Sequence, residues 1–195
     1  MSDETVSALL KELERFGARS DARTRDGSRK MLNITPETGA FFAIMIRAMK
    51  ARRILEIGTS NGYSTLWLAR AARPLRGTVT TVDHSAYKAE LARANFKRAG
   101  LARWIRMREA DAAEFLARDP GPYDFVFLDS AREQYVSWWP RVRRLVAPGG
   151  LLAADNALTH PRELAAFIRA VGRTPGWRSV TVPIGNGEFL ALRGR

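Results

Sequence analysis

The chain of 195 residues has no cysteine and only two histidines. Without thiols there can be no disulfide, no thiolate nucleophile and no cysteine-ligated zinc, and such a chain sits easily in a reducing compartment. Long apolar runs are also missing, and no stretch approaches the length needed to cross a bilayer. The first residues, MSDETVSALLKELERFG, are charged and helical in pattern, with no apolar signal-peptide core. These absences lead to the expectation of a cytoplasmic protein with no membrane partner.

Acidic residues are the scarcer charge, 20 against 32 basic, which leaves a formal net charge of +12. Such a charge attracts nucleic acid, anionic lipid or acidic metabolites. The basic residues are scattered, however, and arginine far outnumbers lysine, a bias that genomic base composition can also produce. The one dense basic stretch is ARSDARTRDGSRK, residues 18–30, and aspartates interrupt it. It reads first as a solvated, mobile segment and second as a binding surface.

What is present is enough apolar residue, 46%, for one domain with a buried core. Val6, Leu9, Leu10, Leu13 and Phe16 recur at helical spacing, so residues 3–16 predict an amphipathic helix. Thr35 and Pro36 read as the N-cap and first residue of a second helix, which carries Phe41, Phe42, Ile44, Met45 and Ile46. From there the pattern alternates. RRILEIG, GTVTTVD, residues 105–108, YDFVFLD and LLAAD read as strands. Helical segments follow them: YSTLWLARAA, 85–99, 112–118, about 135–146 and 161–171. SVTVPI and EFLALRG close the chain as two strands joined through Gly185, Asn186 and Gly187. Repeated β-α units imply an α/β fold, a mostly parallel sheet with helices on both faces and an antiparallel hairpin at one edge. The expected organisation is a single domain over 1–195. Residues 1–35 form a helix and a mobile, lid-like segment, and residues 36–195 form the core.

The segment ILEIGTSNGYS, residues 54–64, runs from strand through Gly58 and Gly62 into a helix. Glycine lets the backbone turn sharply and approach a ligand, and helix amides at such a turn can receive a carboxylate. The spacing is neither GxGxxG nor a P-loop. Glu56, an acid in an apolar strand, is harder to explain by packing than the rest of the turn. Asp83 ends the next strand, where a carboxylate meets ribose hydroxyls in nucleoside-binding β-α-β units; an N-cap for the helix that follows is the alternative, and both can hold together. Further on, Asp129 ends YDFVFLD, and Asp155 with Asn156 ends LLAADN. Neighbouring parallel strands would set these ends side by side. Two carboxylates and a carboxamide are three hard oxygen ligands, suited to Mg²⁺ and compatible with Mn²⁺ or Ca²⁺. Helix or loop capping is the alternative for each aspartate.

The run ITPETGAFFAIMIRAMKARRILEIGTSNGYSTLWLA resembles the start of the metal-dependent O-methyltransferases of the catechol and caffeoyl-coenzyme A type, including their bacterial relatives. The resemblance continues through VTTVD, READAAEFL, YDFVFLDSAREQY and APGGLLAADN, and covers roughly residues 31–192. It implies a Rossmann-like methyltransferase fold with a seven-stranded sheet, and a homodimer. It places Glu56, Gly58, Gly62 and Ser64 in an S-adenosylmethionine site, Asp83 on the ribose, and His84, Asp111 and Ala112 around the adenine. Met31 would lie over the region of methyl transfer. Asp129 would serve both the cofactor and the metal, with Asp155 and Asn156 as the other ligands of a divalent cation.

The implied acceptor is a small hydroxylated molecule, an aromatic with neighbouring oxygens. RNA is the second choice, given the charge and the tRNA methyltransferases among the bacterial relatives. A noncatalytic nucleotide-binding protein is a third reading, disfavoured by the intact ligand set.

The sequence departs from the resembled pattern at one place. A lysine general base stands three residues after the first metal aspartate in the catechol enzymes, and here that position is Arg132. A guanidinium does not give up its proton in a protein, so Arg132 is read as orienting an anion, or as a surface ion pair with Glu133 or Asp111. His160, five residues beyond Asp155, is the candidate base, because imidazole exchanges protons near neutral pH. A contact at the start of the helix opening at Pro161 is its plainer reading. Tyr135, Trp138 and Trp139 read mainly as core or dimer contact, with an acceptor-pocket wall as the alternative.

Overall fold

The structure is a computed structural model and describes residues 3–195. Seven strands form one sheet: β1 (Arg53–Ile57), β2 (Thr78–Asp83), β3 (Ile105–Glu109), β4 (Tyr123–Leu128), β5 (Val146–Ala154), β6 (Trp177–Val182) and β7 (Glu188–Arg193). Their spatial order is β3-β2-β1-β4-β5-β7-β6. The pairs from β3 to β5 are parallel, and β7 is antiparallel to both β5 and β6. The expected antiparallel hairpin forms this edge of the sheet, with its second strand, β7, beside β5 and its first, β6, outermost. β7 is the more apolar of the two and is buried over Glu188–Ala191, whereas β6 is exposed over Arg178–Val180 and half-buried at Trp177, Thr181 and Val182.

Helices cover both faces. α1 (Asp3–Arg23), α2 (Pro36–Met49), α3 (Tyr63–Ala72) and α4 (Ala86–Arg98) lie on one. Ile54, Val79, Phe125, Phe127 and Leu151 pack against them. α5 (Ala112–Arg118), α6 (Tyr135–Leu145) and α7 (Pro161–Gly172) lie on the other, against Leu55, Ile57, Val82, Val126 and Leu128. Strand side chains alternate between faces, which turns Glu56 toward α3 while its neighbours Leu55 and Ile57 face α6.

Two elements run longer than their patterns suggest. α1 continues seven residues past Phe16, to Arg23. A Cβ on Gly17 would strike the Asn33 carboxamide, which itself donates to the Leu13 carbonyl at 3.1 Å. The glycine is an approach site for the 31–35 segment. β5 begins at Val146 rather than Leu151, because Tyr123 pairs with Val146 before the register shifts at Tyr123/Phe125.

Candidate active site

Strand order reverses between β1 and β4, and open α/β sheets bind ligands at the carboxyl ends of the strands flanking such a point. Gly58 leaves β1 there with φ +108, and a Cβ on it would collide with the Asp129 carbonyl at the end of β4. The Gly58 amide donates to the Val82 carbonyl at 2.9 Å, and the Asp129 amide to the Ile57 carbonyl at 2.9 Å. The turn is thus locked to both neighbouring strands. The Ser60 amide donates to Asp83 Oδ2 at 2.8 Å, and its hydroxyl to the Met31 carbonyl at 2.7 Å. Asp83 Oδ1 takes the Ser85 amide at 2.9 Å, while the N-cap of α4 is Ser85 itself. Sequence reading passed over Ser60, whose only local signal is a small polar residue in a glycine-flanked turn.

Beneath the turn, Glu56 is fully buried. It accepts the hydroxyls of Thr65 and Thr81, and burial pushes its carboxyl up to about 7, with the Asp83 charge adding to the rise. It supports the turn from below.

A cavity of about 410 Å³ opens above these elements, within the usual range for small-molecule sites. Met31, Gly58, Ser64, Asp83, His84, Ala112 and Asp129 line it, as do Arg132, Asp155, Asn156 and His160. Glu56, Gly62 and Asp111 are not part of its lining. Gly62 opens α3 at φ +85, where a Cβ would strike Phe96 of α4. Asp111 caps α5, accepting the Glu114 amide at 3.0 Å.

The opposite wall is acidic. Leu128 and Ala154 are in register on β4 and β5, so Asp129 and Asp155 leave the sheet side by side. The Asp129 carboxyl is raised well above the ordinary range by burial first, then by the charges of Asp155 and Glu56; burial also raises that of Asp155. Asn156, at φ +71, donates from its backbone to Asp155 Oδ1 at 2.6 Å and from its carboxamide to Oδ2 at 2.9 Å. The Asn156 carboxamide oxygen accepts the Thr159 hydroxyl at 3.1 Å, and Thr159 in turn lies 3.1 Å from His160 Nδ1. His160 occupies the N-cap of α7, yet its side chain makes no capping hydrogen bond, which leaves the imidazole on the cavity wall.

One residue here was not legible as functional. Glu188 is fully buried at the start of β7, beside Asp155 by the register that pairs Ala154 with Phe189, and accepts from Thr38 Oγ1 at 2.9 Å. Burial, then the Asp155 charge, pushes its carboxyl up to about 10. Nothing in EFLALRG marks the leading glutamate as buried unless β7 is known to lie beside β5.

Arg132 differs from both ion-pair expectations. Its partner is neither Glu133 nor Asp111 but Glu163 of α7, with Nε 2.7 Å from Oε2, because the turn before α6 folds toward the start of α7. Tyr135, Trp138 and Trp139 are buried against Phe167 and Trp177; none lines the cavity, so they are core and not pocket wall. The Tyr135 hydroxyl accepts the Ser130 amide at 2.6 Å, propping the loop after Asp129 from behind.

The acidic corner fits a divalent cation. Asp155 is buried and Asp129 beside it half-buried, neither has an ion-pair partner among the described residues, and an amide oxygen is within reach after a half-turn of the Asn156 carboxamide. Among the described residues no group of three or more histidine and carboxylate side chains forms a metal cage. The corner is instead an open set of hard oxygen donors, which leaves coordination positions for water or a ligand.

The reversed strand order and this cavity define a Rossmann-like fold with a ligand site at the switch point. Residues 1–193 match the family model described as O-methyltransferase, and the chain belongs to that family. It is 37% identical over 126 residues to the catechol O-methyltransferase of Mycobacterium tuberculosis, an alignment covering 64% of this chain and 57% of that protein. It is 34% identical over 131 residues to the catechol O-methyltransferase of Niastella koreensis, covering 65% of this chain and 59% of the relative. The chain thus spans under two thirds of the length of these curated relatives. The crystal structure of the O-methyltransferase from Bacillus cereus in complex with SAH superposes with a TM-score of 0.79 at 25% identity, covering 95% of this chain and 90% of the other.

Proposed function

We propose that the chain transfers the methyl group of S-adenosylmethionine to a hydroxyl of a small aromatic acceptor carrying neighbouring oxygens, with a divalent cation held by Asp129, Asp155 and Asn156. The observation that carries this reading is a single cavity with two unlike walls, the glycine turn with Asp83 on one side and the Asp129–Asp155–Asn156 corner on the other. A family relative in complex with SAH supports the choice of cofactor, and relatives that are catechol O-methyltransferases support the acceptor class.

On this reading Asp83 takes the ribose hydroxyls with the acceptor capacity its two backbone contacts leave free, and Met31 closes over the transfer region. The residues fix the acceptor oxygen in line with the sulfonium methyl. As the O–CH₃ bond forms, the S–CH₃ pair returns to sulfur and gives a neutral thioether, while the hydroxyl proton leaves to a base or to solvent. A bound divalent cation supplies Lewis acidity that lowers the pKa of an acceptor hydroxyl. Arg132, paired with Glu163, stays charged and stabilises negative charge on the acceptor. His160, on the same wall, is the candidate proton acceptor.

Calorimetry with S-adenosylhomocysteine and turnover of a catechol with and without chelator test this reading together. The expected result is cofactor binding in both conditions, turnover only with Mg²⁺ or Mn²⁺, and loss of metal rescue in Asp155→Ala with binding retained. Full turnover in chelator would remove the metal from the reaction; no cofactor binding would remove the methyl transfer.

A further inference from the structure

A second concavity lies outside the cavity described above. It is an open groove of about 680 Å³ along the carboxyl-terminal half of α1, faced by the turn at residues 27–29 and the first turn of α4. α1 presents Phe16, Arg19, Ser20 and Arg23, a spacing that sets them on one helical face, and Thr24 follows directly after its end. Arg29 and Tyr87 face them, with the Arg29 guanidinium 5.1 Å from the centre of the Tyr87 ring. No carboxylate lines the groove.

The aspartates that interrupt the basic stretch explain why these arginines are free. Asp21 receives the amides of Met31 and Leu32 at 2.6 and 2.8 Å. Asp26 receives the amide and hydroxyl of Ser28 at 2.9 and 2.6 Å. Glu12 pairs with Arg98. Each of these acids is committed to another group, and Arg19, Arg23 and Arg29 have no ion-pair partner among the described residues. The segment is thus a helix, a capped turn and a clamp that hold three guanidiniums outside any ion pair around a common space, with Asp26 acting on Arg29 only through its charge.

We propose that this groove binds the phosphate groups of a nucleotide ligand. Guanidinium forks match phosphate oxyanions with paired hydrogen bonds, and Arg19 and Arg23 lie about 6 Å apart along the helix axis, a spacing suited to successive phosphates. The Ser20 and Thr24 hydroxyls add neutral donors between them. Phe16 and Tyr87 are 37% and 43% exposed and offer flat apolar faces on which a base can stack. The groove adjoins the first cavity along two chain segments: Arg29 is two residues from Met31, and Tyr87 is followed by Lys88, both Met31 and Lys88 lining that cavity. A ligand anchored by its phosphates in the groove reaches the mouth of the cavity. The proposal stands apart from the methyl-transfer reading, since phosphate binding here needs neither cofactor nor metal.

The source of the phosphate, a free nucleotide or a single-stranded polynucleotide, separates in the test. Probes without adenine avoid the expected cofactor site: uridine triphosphate, inorganic tripolyphosphate and a short oligouridylate, titrated into the whole chain at low and raised salt. Arg19→Gln/Arg23→Gln should weaken all three by at least about tenfold at unchanged melting temperature, the side chains being exposed. Arg169→Gln/Arg178→Gln removes the same charge from exposed sites on α7 and β6 and should leave binding nearly intact. Tyr87→Ala should weaken the uridine probes but not tripolyphosphate.

Oligouridylate tighter than uridine triphosphate, with the steeper salt dependence, would make the ligand polymeric; comparable affinities would make it a free nucleotide. Absence of binding by all probes, or equal loss in the control pair, would overturn the site. Equal affinity for tripolyphosphate and uridine triphosphate would overturn its assignment to nucleotides.

Discussion

The carbonyl oxygen of Asp129 occupies the space into which a side chain on Gly58 would project. The last backbone atoms of β4 and the first residue beyond β1 therefore hold each other at the floor of the cavity. Gly58→Ala must relieve both this overlap and a φ of +108 that L residues avoid. A loss of roughly 1–3 kcal/mol in urea unfolding is expected for a strained backbone of this kind, with a marked loss of S-adenosylhomocysteine affinity. Wild-type values for both would show that the two strand ends move apart freely.

Glu56 makes stability depend on pH. Its folded carboxyl titrates at about 7, against 4.5 for the ordinary group. The folded chain keeps a proton that the unfolded chain releases, so stability falls as pH rises through that window. The Glu56 share of the fall is roughly 3 kcal/mol, complete above the folded value. Glu56→Gln keeps an acceptor for Thr65 and Thr81 and removes the ionisation. The variant should gain on the wild type between about pH 5 and about pH 8 in urea melts. A constant difference across that range would mean that Glu56 is already ionised in the folded chain at pH 5.

Asp21 clamps the 31–34 segment over the cavity through the Met31 and Leu32 amides. Removing a charged acceptor from a hydrogen bond costs about 2 kcal/mol. Asp21→Ala should therefore speed hydrogen exchange at Met31 and Leu32 and weaken cofactor binding, while the melting temperature changes little. Unchanged exchange would leave the Ser60–Met31 contact as the sufficient clamp.

On the proposed reading His160 takes the acceptor proton and Arg132 favours the resulting anion, two roles that kinetics can separate. With an accepted substrate, His160→Gln should lower the rate about tenfold to a hundredfold near neutral pH, and less as alkali ionises the acceptor. Identical profiles in wild type and variant would eliminate the base role. Arg132→Ala should then shift the onset of activity to higher pH, because the guanidinium that favours the anion is gone.

Strands and helices of the core were legible because each carries its own period, and the aspartates at strand ends were legible because ends lie where the period stops. What escaped was pairing at a distance. Nothing at Gly17 in the sequence signals the Asn33 carboxamide packed on it. Arg132 could be matched only with acids near it in sequence or motif, whereas Glu163 comes from the next helix. Glu188 needs the register of β5 with β7, in which Ala154 faces Phe189 and Asp155 consequently meets the residue before it. The basic stretch shows the same limit: its aspartates look like neutralising partners in sequence, but in space they are spent on backbone amides.

The insertion of β7 between β5 and β6 also sets an order of events during synthesis. Asp129, Asp155 and Asn156 leave the ribosome well before Glu188, yet the corner they form borders a strand made last of the seven. Until β7 arrives, the Leu151–Ala154 edge of β5 lacks its antiparallel partner and Asp155 lacks the carboxyl that packs beside it. The half from β1 to β4 has all its strands earlier and can pair them first. A growing chain would thus gain its glycine-turn wall before its acidic one, and chains ending at Gly172 but tethered to the ribosome by a linker long enough to clear the exit tunnel should resist protease around β1–β4 while remaining open to it at β5.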